Sequence, residues 1–156
     1  DDTWGRVMHI NEKNLEKILP HDYPMIVLDE LLEVDMEKHV VTSSVTVRED
    51  KIFYDGTLGG ISPLVGIEFM AQTVGCYAYF ENGQKKPRIG YLLGSRQYNC
   101  SLEKFELGKT YKIVANRIFS DNELVSFDCF IYNDNIECAR ATVNVYLPQD
   151  VETLTM

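Results

Sequence analysis

The sequence predicts an α+β fold in which one antiparallel sheet wraps a long, apolar central helix. Three observations predict it. Residues 63–80 read Pro-Leu-Val-Gly-Ile-Glu-Phe-Met-Ala-Gln-Thr-Val-Gly-Cys-Tyr-Ala-Tyr-Phe and are apolar nearly all round, so a helix there needs burial on every side. Segments that alternate apolar and polar residues flank it on both sides. The order read from these patterns is α-β-β-α-β-β-β-β, which sets the helix between a hairpin and a run of antiparallel strands.

Each element has its own signal. Residues 11–19 predict a short helix: Asn11 is a cap, Leu15, Ile18 and Leu19 share one face, and Pro20 ends it. Residues 25–34, rich in Ile, Val and Leu, predict a strand. Residues 39–48 predict a second, with Val41, Ser43, Val45 and Val47 on one face and Thr42, Ser44 and Thr46 on the other. Residues 35–38 connect them. Residues 49–61, with Gly56, Gly59 and Gly60, read as an irregular loop. Ser62 and Pro63 are suited to open the central helix. Its shortness, its two glycines, Glu68 and Gln72 argue against a membrane span. Four strands follow, at 89–100 (Gly94 marking a bulge), 110–120, 123–132 and 136–147. Asn133-Asp134-Asn135 forms the last hairpin turn, and the tail 149–156 reads as frayed.

A single sheet covers such a helix only by curling round it, which is the hot-dog arrangement. One domain is expected, with its core at about 11–148. One small sheet does not cover so apolar a helix completely, so a second subunit is expected, either another copy or a related chain.

Composition narrows the function. The 156 residues are 45% hydrophobic and 25% charged, an ordinary globular mixture. Fifteen Lys and Arg against 24 Asp and Glu give a net charge of −9, which argues against nucleic-acid binding by bulk charge. Cys76, Cys100, Cys129 and Cys138 form no CxxC pair and lie in apolar segments, as expected of free thiols in a reducing, cytoplasmic compartment. Asp1-Asp2-Thr3-Trp4 has no leader-like pattern. With no Gly-rich phosphate loop, GxSxG elbow or metal-ligand cluster, neither a cofactor nor a metal is expected.

Glu68 is the leading candidate for chemistry. A carboxylate in the first turns of an otherwise uncharged helix is costly to bury, although the helix N-terminus favours it. It is either an active-site acid or a carboxylate satisfied by backbone amides or solvent. Gln72 lies one turn on, on the same face. Of the three histidines, His9 and His39 read as solvated. His21, between Pro20 and Asp22-Tyr23-Pro24, is either a turn residue or a general acid or base. Tyr54 stands in the loop before the helix, to contact a ligand or to pack. Lys85, Lys86, Arg88 and Arg96 form the densest basic grouping, either a solvated loop or a dock for an acidic partner.

Residues 19–29, Leu-Pro-His-Asp-Tyr-Pro-Met-Ile-Val-Leu-Asp, resemble the opening of FabZ-type 3-hydroxyacyl-(acyl carrier protein) dehydratases, whose first strand is entered through Leu-Pro-His-x-x-Pro. Glu68-Phe69-Met70-Ala71-Gln72 resembles the Glu-Ala-Met-Ala-Gln of their central helix, and Tyr91-Leu92-Leu93-Gly94 their third strand. Phe53-Tyr54-Asp55, Gly59-Gly60 and the run 90–100 bring the chain closer to the ApeP-like branch of aryl polyene clusters. The resemblance implies a 3-hydroxyacyl substrate carried on the phosphopantetheine of an acyl carrier protein. It implies a histidine that removes the C2 proton, Glu68 as the acid that assists loss of the C3 hydroxyl, a helix amide on the thioester carbonyl, and no cofactor. The chain departs from the family at two positions. The family histidine lies fourteen residues before the helix acid, where this chain has Tyr54, and the glycine five residues before the acid is Pro63, which has no N–H. The expected site is therefore Glu68 with His21 as candidate base, Tyr54 and Gln72 orienting substrate, and Leu64 as a possible amide donor. The expected partners are the carrier protein and a second hot-dog subunit, in a dimer or a larger oligomer. A non-catalytic partner subunit or carrier-binding protein, and an acyl thioesterase, are the alternatives.

Overall fold

The computed structural model describes residues 7–21, 23–83 and 87–148. The tail 149–156, residues 1–4, Asp22, Lys85 and Lys86 of the reading above lie outside the described residues. Ten strands and one long helix follow in order: β1 (Val7–Glu12), β2 (Glu30–Asp35), β3 (Val40–Thr46), β4 (Tyr54–Asp55), β5 (Gly60–Ile61), α1 (Gly66–Glu81), β6 (Tyr91–Cys100), β7 (Phe105–Glu106), β8 (Thr110–Asp121), β9 (Leu124–Asn133) and β10 (Ile136–Tyr146). Seven strands form one antiparallel sheet in the order β1-β2-β3-β8-β9-β10-β6, and β4, β5 and β7 make a small second sheet. The large sheet curls round α1, which packs on β2, β3, β6, β8, β9 and β10. This is the expected α+β hot-dog arrangement.

The alternating strands behave as their patterns require. Val41, Ser43, Val45 and Val47 of the β3 region are fully buried, as are Phe127, Cys129 and Ile131 of β9. They meet Phe69, Met70 and Tyr77 of α1 in one core. The β9–β10 hairpin turns through Asp134 and Asn135, both at positive φ (51° and 69°), as a type I′ turn requires. The β6–β10 register shifts by one residue near Gly94, at the expected bulge, and again near Gln97. No helix among the described residues is long and apolar enough to cross a membrane. The four cysteines are free.

The structure corrects several expectations. Residues 11–19 are not a helix. Asn11, at φ 52°, lies where the β1–β2 register shifts between His9 and Glu12, the pairing runs on to Glu12, and only a 3₁₀ turn, Leu15–Lys17, follows. Nine residues stopped by a proline are too few to offset helix nucleation, and Leu15, Ile18 and Leu19 reach the core without one. The strand read at 25–34 begins at Glu30, because the backbone of Met25 and Val27 is bonded to a side chain rather than a neighbouring strand. The loop at 49–61 contains β4 and β5. The incomplete cover expected of a single sheet is seen, by contrast: Ile67, Ala71, Gly75 and Tyr79 of α1, spaced four apart, form a stripe that stays partly exposed.

Asp29 pins the approach to β2. Its carboxylate accepts from the Thr46 N–H (2.6 Å), from Arg48 Nη1 (2.7 Å) and from Lys51 Nζ (2.8 Å), and Lys51 also donates to Val27 O. Burial pushes the Asp29 carboxyl up, but the bonds from Lys51, the Thr46 amide and Arg48 outweigh it and hold the group below its ordinary value. The Lys51 side chain is only 7% exposed. Asp29→Ala would leave that ammonium buried and unpaired, so we expect a loss of about 3 kcal/mol of unfolding free energy in urea titrations. With a depressed folded value, the contribution of Asp29 is intact above the unfolded pKa near 4 and disappears as pH falls through the folded one. Asp29→Asn therefore flattens the acid limb of the stability curve. An unchanged limb refutes the assignment.

Candidate functional site

The helix start sets the site. A 3₁₀ turn, Pro63–Val65, precedes α1, and Ser62 Oγ accepts the Leu64 N–H at 3.2 Å. Gly66 lies against the Tyr98 ring, where any Cβ would collide with the phenol, and the Tyr98 hydroxyl donates to Pro63 O. Glu68 thus falls in the first turn of α1, where the helix dipole favours an anion.

Gln72, 1% exposed, uses both ends of its amide. Nε2 donates to Glu68 Oε2 (2.8 Å) and to Met25 O (3.0 Å), and Oε1 accepts the Val27 N–H (2.9 Å). One side chain therefore orients the Glu68 carboxylate and ties residues 25–27 to the helix. His21 projects from the chain that leads into this segment. Its Nε2 stands 4.0 Å from Glu68 Oε2. Its Nδ1 is buried without a hydrogen-bond partner among the described residues, so Nε2 is the ring atom turned to a ligand.

His21, Glu68 and Gln72 line one pocket of about 160 Å³. Ala71, Val74 and Gly75 of α1 continue it, and Leu92, Val145 and Leu147 form its apolar wall. The volume is below the 300 Å³ or so of ordinary small-molecule sites. Ala71 and Gly75, two residues of the partly exposed α1 stripe, are part of its lining.

The structure brings three of the five candidate residues to this pocket. Tyr54 and Leu64 do not line it. Tyr54, half-buried in β4, donates its N–H to Lys51 O and packs on the core. Leu64 is 79% exposed. Arg88, grouped from sequence with a surface basic patch, instead contributes to the pocket wall. Nothing local in the sequence announces this, because it depends on β6 returning alongside α1.

His39 also departs from its reading as solvated. Arg117 Nη2 donates to its Nε2 (3.1 Å), which leaves the proton on Nδ1 to be donated to Tyr77 Oη (2.7 Å). Burial pushes the Tyr77 phenol up to about 12. His9 is exposed beside Glu33.

The class of fold is shared widely. A hypothetical thioesterase with coenzyme A from Streptococcus pneumoniae superposes with a TM-score of 0.55 at 17% identity, over 70% of this chain and 81% of that one. One likeness is much nearer. The dehydratase heterocomplex ApeI:P from Xenorhabdus doucetiae superposes with a TM-score of 0.79 at 26% identity, over 90% of this chain and 95% of that chain. The 3-hydroxyacyl-[acyl-carrier-protein] dehydratase FabZ of Bartonella quintana is 30% identical over 137 residues, 86% of this chain and 87% of that protein. The profile of the ApeP-like family, ApeP dehydratase, matches residues 13–156. The fold and these likenesses define a hot-dog dehydratase of FabZ type. Within that class, the chain belongs to the ApeP-like dehydratase family.

The Gln72 bonds generate a prediction independent of activity. Gln72→Leu leaves the Val27 N–H and the Met25 carbonyl unpaired, at a cost of about 2 kcal/mol. Hydrogen exchange at the Val27 amide is expected to accelerate while β8–β10 amides keep their relative protection. Unchanged exchange at Val27 overturns the role given to Gln72.

Proposed function

We propose that this chain removes water from 3-hydroxyacyl chains held as thioesters on an acyl carrier protein, leaving trans-2-enoyl thioesters. The observation that carries this reading is the approach of His21 Nε2 to Glu68 Oε2 at the polar end of an apolar pocket. His21 takes the C2 proton. Glu68, oriented by Gln72, gives a proton to the C3 hydroxyl, which leaves as water while the C2–C3 double bond forms. The pair ends with the proton on His21 and the charge on Glu68. Their 4.0 Å separation supports return of that proton to the carboxylate after release. Two groups this close address neighbouring carbons on one face of the substrate. Leu64 N–H, held only at 3.2 Å by Ser62 Oγ, is a candidate donor to the thioester carbonyl. Tyr54 orients substrate only in a pocket shared with another subunit.

That second subunit is part of the proposal, as another copy or a related hot-dog dehydratase. Three observations support it. The α1 stripe is partly exposed. The edge strand β6 exposes Tyr91 (54%), Leu92 (46%) and Leu93 (60%). The near structural likeness is to a dehydratase heterocomplex. Free cysteines fit a reducing, cytoplasmic setting.

The test is mass spectrometry of a 3-hydroxyacyl carrier protein incubated with the chain, alone and with a hot-dog dehydratase from the same gene cluster. Wild type is expected to remove one water. Glu68→Gln and His21→Asn are expected to slow this by 10²–10⁴ without a change in far-ultraviolet circular dichroism. Full turnover by folded Glu68→Gln overturns the assignment. Free acid and thiol as products would mark a thioesterase instead. Dehydration seen only with the partner, and insensitive to both substitutions, would make this chain the non-catalytic subunit.

A further inference from the structure

We propose that Arg88 reads the far end of the acyl chain and selects chains that end in a hydrogen-bond-accepting oxygen. The inference rests on the dehydratase reading above and names the substrate class for the same pocket. The pocket follows α1 from Glu68 to Gly75, seven residues, or about 10 Å at the helical rise. Glu68 stands in the first turn. Arg88 lies toward the other end, because its Nη1 approaches Oε1 of Glu81, the last residue of α1, at 3.7 Å. A thioester seated between His21 and Glu68 thus sends its chain along the apolar wall toward the guanidinium.

The guanidinium has donors to spare. It carries five N–H groups. Among the described residues it makes one hydrogen bond, from Nη2 to Leu147 O at 2.9 Å. The 3.7 Å approach to Glu81 is an ion pair, too long for a hydrogen bond. Glu81 is also bound by Arg117 Nη1 at 2.5 Å, so among the described residues two arginines share one carboxylate and the cluster keeps a net positive charge. His39, which accepts from Arg117, adds no charge in the tautomer this requires. Arg88 is 21% exposed, beside Leu92, Val145 and Leu147. A methyl end brought against it displaces water and leaves buried donors unpaired. An oxygen end accepts from them.

The experiment measures binding as well as turnover. Three 3-hydroxyacyl pantetheine thioesters of one chain length, ending in methyl, hydroxyl or carboxylate, are titrated calorimetrically into the full chain with its hot-dog partner. The two oxygen-ended chains are expected to bind wild type about tenfold more tightly than the methyl-ended one. Arg88→Met is expected to abolish that difference. Arg88→Lys, which keeps the charge and the stem, retains the carboxylate preference in part and controls for misfolding of the methionine variant. Equal binding of all three chains to wild type, binding of none, or a preference that survives Arg88→Met each overturns the proposal. Dehydration is followed in the same samples: preference without turnover refutes the catalytic assignment and leaves Arg88 in place, and turnover without preference does the reverse.

Discussion

A helix with a charge in its first turn and another at its last residue can be enclosed by a sheet only if the polar atoms between them find partners inside. Gln72, Thr73 and Tyr77 are those atoms' owners, all essentially fully buried. Thr73 Oγ1 donates to Phe69 O and lies 2.6 Å from Ser43 Oγ of β3. Tyr77 Oη takes the His39 ring, and Gln72 takes the backbone of residues 25–27. Apart from the Thr73–Phe69 bond, which lies within α1, each bond ties the helix to its wrapping. An unpaired polar group in that position costs more than a typical bond gains, so these pairings fix how the chain is laid over the helix.

The same requirement joins fold to chemistry. Gln72 satisfies the segment before β2, and doing so places His21 and Glu68 at one pocket end. At the other end of the helix, Glu81 gathers Arg88 and Arg117, and Arg117 engages His39. An apolar pocket lies beside an apolar helix with polar machinery at either extremity. Ala71 and Gly75, which line that pocket, belong to the stripe of α1 that stays partly exposed.

Much of this was legible in the sequence because it is written in local periodicity. The period-2 pattern of β3, β9 and β10 chose the inward faces correctly, and the all-round apolarity of 63–80 implied its enclosure. Glu68 stood out as a charge in an apolar run, and the Leu-Pro-His and Glu-x-x-x-Gln motifs pointed to the residues that share the pocket. What failed was set by distant partners. Residues 25–27 have a strand's composition, but the side chains of Gln72 and Lys51 supply their backbone bonds. Residues 11–19 have a helix's spacing, but pairing with β2 extends through Glu12. His39 lies in a polar stretch, yet Tyr77 and Arg117 reach it from 38 and 78 residues away. Arg88 looked like part of a basic loop because a sequence does not show which wall a returning strand will build.

The two tight turns of the β8–β9–β10 meander have a consequence for how the chain reaches this structure. β8 and β9 are joined through Asn122 and Glu123, and β9 and β10 through Asp134 and Asn135. Closing such short loops restricts the chain least, whereas β3 must find β8 across some 65 residues, as in the pairing of Thr46 with Thr110. The meander is thus the part of the sheet with the lowest contact order, the kind of contact that forms fastest. It offers α1 a preformed concave surface before the N-terminal strands close over the other side.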